Sequence, residues 1–380
     1  MSLSQRVALG MVLALCGLPV LASQCCVVRQ ATVEVTAEVV ASGLDRPWAM
    51  AFLPDGSVLV TERTGALRHV RDGSVSDPLR GVPRAAVVGQ GGLLDIALDP
   101  DFSQTGLVFL SYAEEAGGSG DFGTAVGHGR LNLNAGRLDN FTRIFQANNK
   151  SGGGRHFGSR LRFAPDRTLF VTLGDRGTQL RAQDPFDHAG SVVRVNRDGS
   201  VPVDNPFADG RKALPEIWSI GHRNAQGAAI HPVTGKLWTL SHGAAGGDEI
   251  NAPKAGLNYG WPLISYGTNY SGAPFERGTE APGFEQPIYY WDPSIAPSGL
   301  AFYDPGNARI DGWRGSLLAG ALRGQHLSRL ILNGERVVAE ERYFEGEFGR
   351  IRDVRTGPDG AVWMLTDSSR GRLIRVTGAR

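Results

Sequence analysis

One local pattern recurs six times along the 380 residues: an alternating apolar stretch, a turn built on Pro, Asp or Gly, and a second alternating stretch ending in Thr, Ser or Gly. Alternation of period two marks a half-buried strand, and two such runs around a turn make a hairpin. The copies are residues 49–61 about Pro54, Asp55 and Gly56, 94–112 about Pro100 and Asp101, and 161–174 about Pro165 and Asp166. They continue as 227–243 about Pro232, 297–320 about Asp304 and Pro305, and 351–367 about Pro358, Asp359 and Gly360. Turn-to-turn spacings run from 46 residues (Pro54 to Pro100) to 73 (Pro232 to Pro305), mostly longer than the roughly 40–50 residues of a minimal four-strand blade, so the surplus belongs to loops. No stretch keeps a 3.6 period over a helix length, which leaves a β-sandwich and a propeller as competitors. Six units of this size fit an all-β, six-bladed β-propeller. The alternating segment 32–40 is expected to add an outer strand to the last blade and close the ring.

Composition agrees with many short strands and tight turns. Glycine is 52 of 380 residues, about twice the usual share of roughly 7%. Lys+Arg 39 against Asp+Glu 38 leaves a net charge of +1, so no whole-chain field favours nucleic acid or an anionic membrane. Arg6 precedes an apolar run from Val7 to about Leu21, followed by Ala22 and Ser23, which is the layout of a cleaved secretory signal over residues 1–23. The run is shorter than the roughly 20 apolar residues of a membrane span, and no later segment could serve as one. The mature chain is therefore expected in the periplasm or outside the cell, with a linker at 24–31 and the propeller from 32 to 380. Cys16 falls in the signal. Only the neighbours Cys25 and Cys26 remain, which excludes a disulfide framework.

A propeller gathers its inner-strand ends around one axial mouth, so polar residues at the same point of successive repeats converge there. His156 follows the pattern-free Ser151-Gly-Gly-Gly-Arg loop and precedes the third repeat, which turns it toward that mouth. Arg350 and Arg352 alternate with Ile351 and leave their strand on one face. Gly89-Gln-Gly-Gly-Leu-Leu, His156-Phe-Gly-Ser-Arg-Leu, Gly174-Asp-Arg-Gly, Gly221-His-Arg-Asn, Gly247-Asp-Glu-Ile-Asn, Asn258-Tyr-Gly-Trp-Pro and Arg350-Ile-Arg-Asp-Val occur in that order. In motifs and in order, the chain from about Gly43 to Val376 resembles the soluble quinoprotein glucose and aldose sugar dehydrogenases.

The resemblance implies pyrroloquinoline quinone (PQQ) and Ca2+ as cofactors, an aldose as substrate and a lactone as product. His156 would be the general base for the C1 hydroxyl, a task suited to imidazole at neutral pH, and Asp175 would orient it. Arg223 and Asn224 match a pair that contacts the quinone oxygens. Gln90 matches a neighbour of quinone and sugar, and Tyr270 a wall against the cofactor plane. Arg350, Ile351 and Arg352, with Ala321, Leu322, Arg323 and Gly324, match segments that grip the cofactor; Arg323 stands where relatives show lysine. Gly243 and Ala244 would hold the catalytic calcium through their carbonyls, although relatives commonly carry proline at position 244. Glu249 and Tyr259 would hold a second, structural ion, the tyrosine through its carbonyl.

Other chemistries lack their signatures. There is no His-Glu-x-x-His pair, Gly-x-Ser-x-Gly elbow, P-loop or dinucleotide Gly-x-Gly-x-x-Gly opening a helix. With no Cys-x-x-Cys-His haem motif, electrons must pass to an external acceptor. Two other readings stand beside the dehydrogenase: a calcium-dependent lactonase, and a non-catalytic propeller binding glycans or a protein. Monomer and homodimer are equally compatible with the sequence.

Overall fold

The computed structural model describes residues 27–379. The signal expected at 1–23 and all three cysteines lie outside the described residues. Six four-stranded units account for nearly all regular structure. Blade 1 comprises Pro47–Phe52, Val58–Glu62, Leu67–Arg71 and Ser74–Val75. Blade 2 comprises Leu93–Leu98, Leu107–Glu115, Phe122–Asn132 and Arg137–Gln146. Blade 3 is built from Leu161–Phe163, Leu169–Thr172, Val192–Val195 and Ile217–Ser219. Blade 4 follows with Ala225–Ile230, Leu237–Ser241, Asp248–Asn251 and Tyr289–Trp291. Blade 5 has Pro297–Tyr303, Ser316–Ala321, Leu327–Asn333 and Arg336–Tyr343, and blade 6 has Ile351–Thr356, Val362–Thr366 and Gly371–Gly378. Each of the six hairpins expected from the sequence supplies the first two strands of one blade. Helix among the described residues is limited to single turns at Phe102–Thr105 and Gln179–Gln183.

First strands of successive blades pack against one another, the sixth returning to the first, so the array is a closed six-bladed propeller. The outer strand of blade 6 comes from the other end of the chain. Val35–Leu44 runs antiparallel to Gly371–Gly378, from Val35 opposite Gly378 to Leu44 opposite Gly371. The segment expected to close the ring does so, and extends four residues further. Within the stretch read as a linker, Val27–Arg29 adds a parallel fifth strand to blade 5, with Val27 opposite Ala339.

Apolar side chains fill the wedges between blades. Trp48, Leu59, Leu93, Leu110 and Phe157 form one such cluster, and Ile351, Met364, Tyr303 and Trp313 another. The axis is polar instead. Fully buried Asp95 and Asp353 are ringed by Arg160, Arg162 and Arg355. Arg160 reaches Asp95 at 3.3 Å and Asp353 at 2.9 Å, Arg355 reaches them at 2.8 and 2.9 Å, and Arg162 lies 3.0 Å from Asp95. Burial works against ionising Asp95, but the three guanidinium groups win and hold its pKa down to about 2. Arg160 also stacks over Trp48 at 4.1 Å and donates to the Arg352 carbonyl at 3.2 Å. This ionic plug is the floor of the axial mouth.

Candidate active site

The mouth is a cavity of about 580 Å3 above the plug. Its wall follows a positional rule. Arg46, Asn224, Ala296 and Arg350 each stand one residue before the first strand of their blade, while Arg63, His242, Leu322 and Asp367 each stand one residue after the second. Paired strands of similar length around one axis therefore deliver these side chains to one level.

His156 immediately precedes Phe157 and Gly158 of this lining, on the blade 3 side. Its backbone is left-handed, with φ of 56°, a conformation that costs a non-glycine residue energy and persists only where neighbours enforce it. The Gln90 Oε1 atom accepts the His156 amide N–H at 2.8 Å. Imidazole Nδ1 lies 2.6 Å from Asp175 Oδ1, whose side chain is 0% exposed. Asp175 also accepts the Gly177 amide at that atom at 2.7 Å, while its Oδ2 accepts the Trp261 Nε1–H at 2.8 Å. A buried carboxylate facing only donors fixes the tautomer: Nδ1 carries the proton and Nε2 is left as acceptor. Gly174 makes this approach possible, because a Cβ there would stand 2.2 Å from the His156 carbonyl oxygen.

Burial lowers the His156 pKa below its ordinary value, and the Arg223 charge adds to this, against the opposing pull of Asp175. The imidazole is thus neutral at pH 7. Burial pushes the Asp175 carboxyl up, but the hydrogen bonds from His156, Gly177 and Trp261 outweigh it and keep the group ionised. Trp261 emerges as the third member of the pair. In Trp261→Phe the aspartate loses one donor and pulls harder on the Nδ1 proton, so imidazolium is favoured. The acid limb of kcat/KM should move to higher pH, with about 10-fold less activity at acid pH for one lost charged hydrogen bond. An unchanged pH profile would show that the indole does not tune the base.

The remaining polar wall is rich in donors. Arg350 and Arg352 both reach Asp367 Oδ2, at 3.0 and 2.9 Å. Ile351 between them points into the core, as alternation requires. Asn224 Oδ1 is occupied by the Gly158 amide at 3.1 Å, and Gln226 Oε1 by Arg352 at 3.2 Å. With the Gln90 oxygen also taken by His156, the side-chain amides of Gln90 and Asn224 have mainly N–H groups left for a ligand. The Nε atoms of Arg223 and Arg352 are buried without a hydrogen-bond partner. Such donors are costly unless a bound acceptor completes them. Arg223 Nη2 donates to the Tyr270 hydroxyl at 3.1 Å, and its guanidinium lies 5.2 Å from the Trp261 ring centroid.

Over residues 44–375 the sequence matches the Glucose / Sorbosone dehydrogenase family. The chain belongs to that family. It is 45% identical over 351 residues to the aldose sugar dehydrogenase YliI of Escherichia coli strain K12, covering 91% of this chain and 94% of that protein. The crystal structure of the soluble aldose sugar dehydrogenase from Escherichia coli in the apo-form aligns with a TM-score of 0.87 at 44% identity, over 91% of this chain and 100% of that one. The PQQ-bound form of aldose sugar dehydrogenase from Streptomyces coelicolor aligns with a TM-score of 0.75 at 28% identity, over 90% and 99%.

Not every position expected from the resemblance to the quinoprotein glucose and aldose sugar dehydrogenases reaches the cavity. Gln90, Asn224, Leu322, Arg350 and Arg352 line it, with His156 joined to that wall through Gln90, Asp175 through His156, and Arg223 through a bond from its Nη1 to the His242 carbonyl at 3.4 Å. Tyr270 is 75% exposed, and its hydroxyl accepts from Arg223. Ala321 is core, so only its backbone could contribute. The Arg323 and Gly324 amides both donate to the Ile295 carbonyl at 3.0 Å and anchor the turn, while the Arg323 side chain is exposed. Gly243 donates its N–H to buried Asp248 at 2.9 Å, which holds the Gly243–Ala244 loop beside His242 of the cavity wall. Glu249 and Tyr259 lie away from that wall. Burial pushes the Glu249 carboxyl up to about 7, its only hydrogen-bond donor among the described residues being Asn251 at 3.2 Å. That environment fits a carboxylate built to meet a cation. Among the described residues no three His, Cys, Asp or Glu side chains converge as a metal cluster, so a cation here would depend on backbone oxygens as well.

Proposed function

We propose that this protein oxidises aldoses at C1 to the lactone, with PQQ and calcium bound in the axial mouth and electrons passed to an external acceptor. The observation that carries the reading is the His156–Asp175 pair beside a cavity whose free polar groups are nearly all donors. PQQ, when bound, supplies an ortho-quinone able to accept a hydride equivalent. Its three carboxylates suit Arg350 and Arg352, whose planar guanidinium groups pair with carboxylates in fixed geometry. The NH2 groups of Gln90 and Asn224 and the unsatisfied Nε of Arg223 suit carbonyl oxygens. Gly243 and Ala244 carbonyls would hold the catalytic calcium, and Glu249 with the Tyr259 carbonyl a structural one.

The chain's own part in the reaction is proton handling and field. His156 Nε2, neutral at pH 7, takes the C1 hydroxyl proton as hydride leaves the same carbon. Asp175 steadies the imidazolium so formed, and Arg223 places positive charge where negative charge develops. The aldose loses one proton and one hydride and becomes the lactone. Among the described residues no helix is long and apolar enough to cross a membrane, which accords with a periplasmic or secreted enzyme released by cleavage after about residue 23.

Isothermal titration of the mature, calcium-loaded protein with PQQ, followed by dye-linked oxidation of glucose and other aldoses, tests the reading. Tight binding and sugar-dependent dye reduction are expected. No binding at micromolar PQQ would overturn it and bring lactone hydrolysis, then glycan binding, to the front.

A further inference from the structure

The corner of the cavity between blades 1 and 6 holds more positive charge than the described residues neutralise. Arg46, Arg63, Arg350 and Arg352 line it, and the sole carboxylate in the lining is Asp367. Asp367 is already engaged by Arg350 and Arg352. Arg63 spends its Nη1 on the Gly89 and Gly91 carbonyls, which supply dipoles but no counter-charge. Arg46 has no side-chain hydrogen bond or ion pair among the described residues, and its backbone is held at φ of 50° by a bond from its amide to the Ser368 carbonyl at 2.8 Å. Arg46 is exposed, so water solvates its guanidinium, while its fixed left-handed backbone holds it at the rim beside Asp367 with its donors free for a ligand. Burial and the like charge of Arg46 lower the Arg63 pKa against the opposing pull of Asp367 and Asp45, so the two carboxylates do not offset the crowding of cations in this corner.

We propose that Arg46 and Arg63 form a second carboxylate-binding site in the mouth, which takes a ligand carboxylate separate from the one met by Arg350 and Arg352. The inference rests on the polycarboxylate cofactor proposed above and adds to it an orientation. Acidic groups turn toward blades 1 and 6, and the redox end turns toward His156 and Arg223 on blades 3 and 4. Arg63 has a further duty, because the carbonyls it grips flank Gln90, whose side chain caps the His156 amide. Arg46 is therefore the cleaner residue to change.

The test uses two probes, PQQ and citrate, titrated calorimetrically into the mature protein, with PQQ added to calcium-loaded enzyme and citrate to calcium-free enzyme so that chelation does not enter. Wild type, Arg46→Gln and, as a control on an exposed arginine outside the cavity, Arg211→Gln are compared at low and moderate salt. Arg46→Gln should weaken both probes about 10-fold, the scale of one charge-assisted hydrogen bond, and flatten the salt dependence. Arg211→Gln should do neither. The thermal midpoint of empty Arg46→Gln should equal or exceed wild type, since repulsion is relieved, whereas a merely structural arginine would lower it. If wild type ignores PQQ but binds citrate in an Arg46-dependent way, the site stands and the cofactor assignment falls. If neither probe senses Arg46, the inference is overturned.

Discussion

His156→Asn should abolish sugar-dependent dye reduction, with a loss of about 10²- to 10⁴-fold for removal of a general base, while PQQ affinity changes little. Asparagine is the substitution of choice because it tolerates the left-handed backbone that His156 adopts, so the Gln90 hydrogen bond to the amide survives. The loss should fall on kcat more than on KM. In the wild type, a base whose pKa is lowered by burial remains unprotonated through neutral pH. Its activity should therefore decline only as pH drops below the ordinary histidine value near 6.5. If the His156→Asn enzyme kept more than about a tenth of wild-type kcat, well above the range for a lost general base, the proton acceptor would lie elsewhere.

Asp95→Ala should be the most damaging change away from the mouth. It leaves Arg160 and Arg355 sharing Asp353, leaves Arg162 without an ion-pair partner among the described residues, and strips the Leu161 amide of the acceptor it meets at 2.8 Å. Breaking a buried ion network from one side costs about 3–5 kcal/mol, because the remaining charges stay desolvated. Urea unfolding of the purified variant would show this as a lower midpoint with an unchanged slope. A cost below about 1 kcal/mol would mean that water or backbone relaxation compensates the plug. Because Arg160 supports Trp48 and the Arg352 carbonyl, the same variant should also bind PQQ more weakly.

The hairpins were legible because their determinants are local: period-two alternation and Pro, Asp and Gly turns act within a dozen residues, and all six repeats became the first two strands of a blade. The closing strand was legible for the same reason, since residues 32–40 alternate. The site was legible only where a motif marked it. Arg46, Arg63, His242 and Asp367 carry no motif and reach the cavity by standing at strand ends, a rule that could have been read by aligning the repeats on their turns. Trp261 lay in a recognised motif, yet its bond to Asp175 spans 86 positions in the chain, and no local pattern encodes such a contact. Ala321 and Ile351 show the opposite limit. A segment can match a binding motif while alternation sends its middle residue into the core.

The strand that closes the ring carries a consequence for the order of assembly. Val35 and Gly378 are neighbours across the sixth blade although nearly the whole chain separates them. The strand Val35–Leu44, made near the start of synthesis, must therefore wait for the last strand before it finds its partner. Until then its backbone donors and acceptors form an open edge, the kind that pairs with other chains. A chain cut short before Gly371 can stack five blades yet has nothing to fasten them with. Completion is thus recorded in a single sheet, and the late, long-range pairing that makes folding slow also makes the finished ring report that both ends of the chain are present.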